Sequence, residues 1–183
     1  MAERVVTVFG SSRIQEGSAE YRTAHDLGAA LARAGFTVCN GGYSGAMEAV
    51  SRGAQEAGGH VIGVLVDVFP VDRANRWLGE RHETESLFAR LERLTVLADA
   101  FVVLNGGIGT LVELGLVWNL SFLGVMPEKP IVVLADGWSG VVDALVAHTH
   151  VRESEREILH LAPDVPTAVR TVIDLVAQAA ADE

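Results

Sequence analysis

The sequence predicts an α/β fold, namely a doubly wound, Rossmann-like parallel sheet with helices on both faces. Short runs rich in β-branched residues alternate with longer segments in which apolar residues recur at helical spacing. Three of the short runs end in turns of glycine and serine that lead into a helical segment. The chain has 183 residues, 49% of them hydrophobic, which is enough to bury one core. We therefore expect residues 1–183 to form a single domain.

The strands and helices follow from these patterns in order. Buried parallel strands are predicted at residues 5–9, 36–39, 61–66, 101–104 and 131–134. Helices are predicted at residues 19–34, 44–56, 85–97, 109–123, 139–148 and 165–180. Gly35 is expected to end the first helix, and Asp164 to cap the last one. Residues 67–82, which include Pro70 and Asp72, are the least regular part and predict a lid or binding loop, or a helix that the pattern does not reveal.

Composition excludes several classes of protein. The formal net charge is -10, and nucleic-acid recognition starts from a basic surface, so we expect no nucleic-acid polymer as a partner. Cys39 is the sole cysteine, which rules out an internal disulfide and a cysteine zinc site. The N-terminal apolar run is too short for a signal peptide, and no apolar stretch has the length of a membrane span. We therefore expect a cytoplasmic protein with no membrane partner.

Three glycine-containing turns are the strongest functional signal. They are Gly10-Ser11-Ser12, Gly41-Gly42-Tyr43-Ser44-Gly45 and Gly106-Gly107-Ile108-Gly109-Thr110. In a doubly wound fold, ligands bind beyond the carboxyl ends of the strands, where helix N-termini offer free N–H groups to a phosphate. The bland alternative is three tight strand-to-helix turns. The dinucleotide fingerprint GxGxxG is absent after the first strand and no Gly-Lys-Ser/Thr exists, so NAD and P-loop binding are disfavoured.

Charged residues near the third turn are candidates for chemistry. Glu113 lies one helical turn after Thr110, on a segment that is otherwise apolar. Arg90 and Arg93, on the preceding predicted helix, share one face, and either could reach the carboxyl edge of the sheet. A solvated Glu113 and a surface arginine are the alternatives. The six histidines show no convincing spacing for a metal, so we expect no metal site.

The run from Asn105 to Glu113 resembles the PGGxGTxxE signature of the LOG family, the cytokinin riboside 5′-monophosphate phosphoribohydrolases. The segment 41–50 is similar to the family's GGGxxGLMxAV segment, and residues 8–12 and 57–64 match its first turn and the run after the second motif. The resemblance implies a Rossmann-like homodimer, or a higher homo-oligomer, that cleaves the N-glycosidic bond of a nucleoside 5′-monophosphate such as AMP. It implies no cofactor, and it makes Arg90 and Glu113 the catalytic pair.

The resemblance also implies which residues hold the nucleotide and its phosphate. They are Gly10, Ser11, Ser12, Gly41, Gly42, Gly45, Met47, Gly106, Gly107, Ile108, Gly109 and Thr110. The chain departs from the family at Asn105, which stands in place of the signature proline, and around Arg90, where only the arginine of MHxRKxxM is kept. A non-catalytic carrier of a phosphorylated, nucleotide-like ligand, similar to molybdenum-cofactor carriers, is therefore the alternative.

The family's older label, lysine decarboxylase, does not suit this chain. Lys129 is its only lysine, and it lies in a segment flanked by Pro127 and Pro130. A pyridoxal phosphate enzyme needs a lysine for its internal aldimine. We therefore expect a hydrolase that is not a lysine decarboxylase.

Overall fold

The computed structural model describes residues 4–68 and 73–182. Within them, seven parallel strands form one sheet in the order β4-β3-β2-β1-β5-β6-β7. The strands are β1 (Val5–Phe9), β2 (Thr37–Asn40), β3 (Val61–Val66), β4 (Glu80–Thr84), β5 (Ala100–Val103), β6 (Ile131–Leu134) and β7 (Leu159–Ala162). The predicted doubly wound, Rossmann-like fold is confirmed.

Helices cover both faces of this sheet. They are α1 (Ala19–Arg33), α2 (Ala46–Glu56), α3 (Leu87–Leu97), α4 (Ile108–Phe122), α5 (Ala135–His148), α6 (Glu153–Arg156) and α7 (Val165–Asp182). One apolar cluster packs α1, α2 and α7 against the sheet, and a second packs α3, α4 and α5 against the other face. The chain changes face between β1 and β5, which are hydrogen-bonded neighbours. This is the switch point beside which doubly wound folds bind their ligands.

The helix ends agree with their sequence signals. Gly35 follows α1 with a φ of 86°, a backbone conformation that glycine adopts readily. The Asp164 carboxylate accepts a hydrogen bond of 2.8 Å from the Thr167 N–H, as an N-cap residue does. Asp136 and Gly137 have non-helical backbone angles inside α5, which is therefore kinked in its first turn.

Two strands were not predicted, and both lie at the edges of the sheet. Most residues of β4 are exposed or half-buried, and its sequence, Glu-Arg-His-Glu-Thr, carries charges in place of apolar residues. The expectation of a lid, loop or helix up to residue 82 is wrong for residues 80–82, which belong to β4. Edge strands often carry charged side chains that limit further pairing, so β4 lacks the apolar pattern by which the other strands were predicted. Strand β7 is four residues long and includes His160. Pro70 and Asp72 lie outside the described residues.

Among the described residues, no helix has both the length and the apolar character that crossing a membrane requires.

Candidate functional site

The three glycine-containing turns meet at the carboxyl edge of the sheet. Ser11 joins two of them, since its N–H donates to the carbonyl of Asn105 at 3.2 Å and its carbonyl accepts from the N–H of Ala46 at 2.8 Å. The Ser44 hydroxyl donates to the carbonyl of Ser12 at 3.3 Å. The turns after β1, β2 and β5 are therefore one hydrogen-bonded unit.

Two helix N-termini belong to this unit. Helix α2 begins after Gly45 and α4 begins after Gly107, and neither start has a side-chain cap, although the first N–H of α2, that of Ala46, is bound to the carbonyl of Ser11. The positive end of each helix dipole and these N–H groups favour an anion. A Cβ built on Gly107 or Gly109 would meet no atom within 4 Å, so open space borders the start of α4.

The segment before α4 is held from two sides. The Trp138 Nε1–H donates to the carbonyl of Leu104 at 2.9 Å. The Asn105 side chain lies against the backbone of Gly137, where a Cβ would come within 2.8 Å of its Oδ1. Thr110 is buried and folds back over Gly106. The kinked start of α5 thus supports the turn in which Asn105 replaces the family's proline.

Arg90 reaches this edge from α3. Its Nε donates to the carbonyl of Val64 at 2.9 Å, and one terminal nitrogen, Nη2, donates to the carbonyl of Gly41 at 3.1 Å. The guanidinium lies over the ring of Tyr43, 5.6 Å from its centroid, and Nη2 is 3.9 Å from the sulfur of Met47. The backbone and an aromatic ring therefore fix the orientation of Arg90.

These partners leave the charge of Arg90 available. Arg4, Arg52, Arg152 and Arg156 form ion pairs with carboxylates, and no ion pair of Arg90 is present among the described residues. Arg93 points elsewhere, since its Nε donates to Nδ1 of His82 at 2.9 Å. Of the two arginines considered from the sequence, Arg90 is the one at the carboxyl edge.

Glu113 lies on the second turn of α4, one turn beyond Thr110. Its side chain is half-buried, and this desolvation raises the pKa of its carboxyl to about 7. The charge of Arg90 acts in the opposite direction and lowers that pKa, so the two groups are within electrostatic reach of each other. A carboxyl with a pKa near neutrality can exchange protons at physiological pH.

The structure therefore brings every residue of the predicted site to one edge of the sheet. That set comprises Gly10, Ser11, Ser12, Gly41, Gly42, Gly45, Met47, Arg90, Gly106, Gly107, Ile108, Gly109, Thr110 and Glu113. Sequence reasoning missed three buried polar residues under the second turn: Asn40, Ser51 and Asn75. Asn40 carried a weak signal, because an asparagine before a glycine pair is typical of an Asx turn. Ser51 and Asn75 carried none.

A separate cavity of about 520 Å³ opens at the same edge between α1 and the start of α7. Its floor includes Leu104 and Leu134, whose side chains belong to the cluster with α1, α2 and α7. Its lining also carries four carboxylates and no basic side chain: Glu20, Asp26, Asp136 and Asp164. Arg90 and Glu113 do not line this cavity.

Lys129 lies far from the candidate site. Its Nζ donates to the carbonyls of Thr95 at 2.9 Å and Val96 at 3.3 Å, at the C-terminal end of α3 and just before β6 begins. This is the amino edge of the sheet, opposite the glycine turns. Over the part of the chain that the structure describes, no three His, Cys, Asp or Glu residues are grouped so that they could hold a metal ion.

Comparison with known proteins gives matches over most of the chain. The model of the SLOG cluster4 family matches residues 3–162. A relative from Mycobacterium tuberculosis, called cytokinin riboside 5′-monophosphate phosphoribohydrolase, is 33% identical over 154 residues, which cover 80% of this chain and 82% of the relative.

Solved structures give a second group of matches. The molybdenum cofactor carrier protein of Chlamydomonas reinhardtii has a TM-score of 0.76 at 26% identity, over 96% of this chain and 99% of the carrier. The molybdenum cofactor binding protein of Rippkaea orientalis has a TM-score of 0.78 at 21% identity, again over 96% and 99% of the two chains. At that identity the second likeness shows a common fold alone.

Proposed function

Because the chain belongs to the SLOG cluster4 family, which is of the LOG type, we propose that it hydrolyses the N-glycosidic bond of a nucleoside 5′-monophosphate such as AMP. The products are the free base and ribose 5-phosphate. The placement of Arg90 and Glu113 at the edge of the sheet that carries the glycine turns, where the charge of Arg90 acts on the Glu113 carboxyl, carries this proposal. The phosphoribohydrolase name of the Mycobacterium tuberculosis relative supports it.

The glycine turns bind the phosphate in this proposal. The N–H groups from Gly106 to Thr110 stand at the uncapped start of α4, and the turn containing Ser11 and Ser12 is hydrogen-bonded to it. Backbone N–H groups suit this acidic chain, because they provide positive potential without adding a basic residue.

Glu113 acts on the ribose in the proposed reaction. Cleavage of the C1′–N bond leaves positive charge on C1′ and the ring oxygen, and the bond's electron pair goes to the base. The ionised carboxylate of Glu113 stabilises that charge and accepts a proton from the water that attacks C1′. The base takes up a proton from solvent as it leaves, and Glu113 then returns the proton of the attacking water to solvent. The guanidinium of Arg90 binds either the phosphate or the departing base.

The reaction needs the ionised form of Glu113, whose pKa in the free protein is about 7. We therefore expect kcat/KM to rise with pH from 5 to 7 and to level off above, since this parameter follows the ionisation of the free enzyme.

The direct test is to incubate the protein with AMP and to measure free adenine by chromatography. We expect release of adenine that is abolished in Glu113→Gln and in Arg90→Met. Glu92→Gln is the matched control, because Glu92 is an exposed carboxylate on α3 away from the turns. Absence of base release from AMP, GMP, CMP and UMP over hours would contradict the proposed hydrolysis.

A carrier of a phosphorylated, nucleotide-like ligand is the second candidate. The 26% identity to the Chlamydomonas reinhardtii carrier, over nearly its whole length, favours it. The same incubation separates the two functions: a carrier binds the nucleotide with its glycosidic bond intact, and its binding survives Glu113→Gln.

We also propose that the chain acts as a single nucleotide-binding domain that forms a homodimer through α3 and α4. Large apolar side chains on these helices are exposed, including Phe88 (85%), Ile108 (75%) and Val112 (51%). Exposed large apolar side chains on two helices are expected at an interface between subunits. Light scattering is expected to give twice the 19.5 kDa chain mass, and Phe88→Asp is expected to give monomers. A monomeric wild-type protein would contradict the dimer.

A further inference from the structure

A buried set of polar side chains lies beneath the second glycine turn, residues 41–45. The Oδ1 of Asn40 accepts a hydrogen bond of 2.8 Å from the Gly42 N–H, and its Nδ2 donates to the Ser51 hydroxyl at 2.9 Å. Ser51 donates in turn to the carbonyl of Met47 at 2.7 Å. The side chains of Asn40 and Ser51 are fully buried. Both ends of the turn are thus tied to α2.

Asn75 completes this set from a distant part of the chain. Its backbone N–H donates to the carbonyl of Gly42 at 2.9 Å, and its Nδ2 donates to the carbonyl of Tyr43 at 3.0 Å. Its Oδ1 accepts from the Trp77 N–H at 3.0 Å. With 7% of its surface exposed, Asn75 pairs two successive carbonyls of the turn away from water.

The turn needs such a partner because its backbone is irregular. Gly42 and Gly45 have φ angles of 76° and 70°, so the peptide groups between them cannot continue the hydrogen bonding of the neighbouring strand. A buried carbonyl left without a donor costs about 1–3 kcal/mol. Asn75 supplies the donors that the sheet cannot.

The same turn holds Arg90. The carbonyl of Gly41 accepts from Nη2 of Arg90, and the ring of Tyr43 lies under the guanidinium. We propose that Asn75 is a positioning residue, which fixes the turn 41–45 and through it the guanidinium of Arg90. Asn75 itself does not reach Arg90, so its effect passes through Gly42 and Tyr43.

This role differs measurably from a general contribution to stability. Arg90 is the charged group that lowers the pKa of Glu113, against the desolvation that raises it. The residues one helical turn from Glu113 on α4 are Gly109, Thr110, Leu116 and Val117, and none of them is charged. A guanidinium released from the turn moves away or becomes mobile, and its effect on the carboxyl weakens. Loss of the Asn75 side chain is therefore expected to raise the pH at which the Glu113 carboxyl is half-ionised, its titration midpoint.

The test titrates Glu113 by carbon NMR in protein labelled at the glutamate carboxyl carbon, with its signal assigned by its absence in Glu113→Gln. Asn75→Ala removes the side-chain donor Nδ2 and the acceptor Oδ1, and keeps the backbone N–H that binds the carbonyl of Gly42. Asn75→Ser keeps a hydroxyl that can accept from the Trp77 N–H but is too short for the Tyr43 carbonyl. Arg90→Met gives the limiting midpoint without the guanidinium.

Thr7→Val is the matched control. Thr7 lies fully buried on β1, and its hydroxyl donates to the carbonyl of Leu94 on α3 at 3.1 Å, so its substitution removes a buried hydrogen bond without touching the turn 41–45. We expect both Asn75 variants to move the Glu113 midpoint upward, towards that of Arg90→Met, and Thr7→Val to leave it in place.

Wild-type midpoints in both Asn75 variants would overturn the proposal, whatever their loss of stability. Failure of both variants to fold, when Thr7→Val folds, would overturn it as well, because Asn75 would then serve the whole fold. The titration needs no turnover, so it does not depend on hydrolysis of AMP.

A kinetic measurement extends the test and rests on the proposed function. If the protein releases base from AMP, Asn75→Ser is expected to lower kcat/KM about tenfold, because misplacing a catalytic group costs rate. It should also move the acid side of the pH profile upward, whereas Thr7→Val should do neither. Absence of turnover in the wild type would contradict the proposed function and leave the titration result standing.

Discussion

Replacing Glu113 by glutamine tests the environment of its carboxyl without any ligand. The amide has nearly the same shape as the carboxyl but does not ionise in the accessible pH range. The half-buried site therefore no longer receives a negative charge at neutral pH. We expect the variant to gain stability relative to the wild type as the pH rises.

The size and sign of this effect follow from the pKa. Burial raises the pKa of Glu113 from 4.5 to about 7, so the folded chain holds the proton more tightly than the unfolded chain. The contribution of Glu113 to the free energy of unfolding is fully present below pH 4.5, falls up to about pH 7 and is lost above it. At about 1.4 kcal/mol per pKa unit, the fall approaches about 3 kcal/mol, with residual access to water making this an upper limit.

The assay is urea denaturation of the wild type and Glu113→Gln at pH 5 and pH 8, at constant ionic strength. At each pH, the unfolding free energy of the wild type is subtracted from that of Glu113→Gln, and the two results are then compared. Groups common to both proteins cancel in that comparison. Glu56→Gln is the control, because hydrogen bonds from Arg52 and His25 lower the pKa of Glu56 below 4.5. The stabilisation by Glu56 is lost only as the pH falls below that value, so its substitution is expected to cost nearly the same at pH 5 and at pH 8.

A stability difference between wild type and Glu113→Gln that is the same at pH 5 and pH 8 would refute this reasoning. It would mean that water reaches the carboxyl in the folded chain as freely as in the unfolded one. The proposed acid–base role of Glu113 would then lose its physical basis.

Three further predictions concern the surroundings of the site. Gly45→Ala should destabilise the protein by about 1–3 kcal/mol and weaken AMP binding, because Gly45 has a φ of 70° and a Cβ there would strike the carbonyl of Ser11. Its control is Gly124→Ala: Gly124 has a φ of 63° but lies in open space, so this substitution should cost less stability and leave AMP binding intact. Lys129→Met should lower the free energy of unfolding by about 1 kcal/mol, measured by urea denaturation, without changing AMP binding, since Lys129 pairs carbonyls at the end of α3. Cys39 should react with a thiol reagent only after unfolding, because burial raises the pKa of its thiol to about 12; fast labelling of the native protein would contradict that burial.

The strands at the centre of the sheet could be predicted from the sequence, whereas the two edge strands could not. Central parallel strands are buried on both faces, so β1, β3 and β6 appear as continuous apolar runs. Strand β4 has one neighbour and carries charged side chains, which removes the apolar signal. Its pairing with β3 depends on contacts between distant residues, and a local pattern does not contain them.

The same limit applies to the candidate site. The glycine turns, Arg90 and Glu113 were predicted because glycine runs and isolated charges on apolar segments are visible locally. Asn75 was not predicted, since nothing around it distinguishes it from a loop asparagine. Its importance comes from the approach of residues 73–78 to the second glycine turn, which only the folded chain brings about.

The net charge of -10 makes the partners of Arg90 significant. Arg4, Arg52, Arg152 and Arg156 pair with carboxylates, which cancel their charge locally. Arg90 is oriented by carbonyls and by the ring of Tyr43, which fix the guanidinium without neutralising it. The nearby Glu113 is itself uncharged for much of the time at neutral pH, because its pKa is about 7. Positive potential therefore survives at the carboxyl edge, where two uncapped helix N-termini add to it.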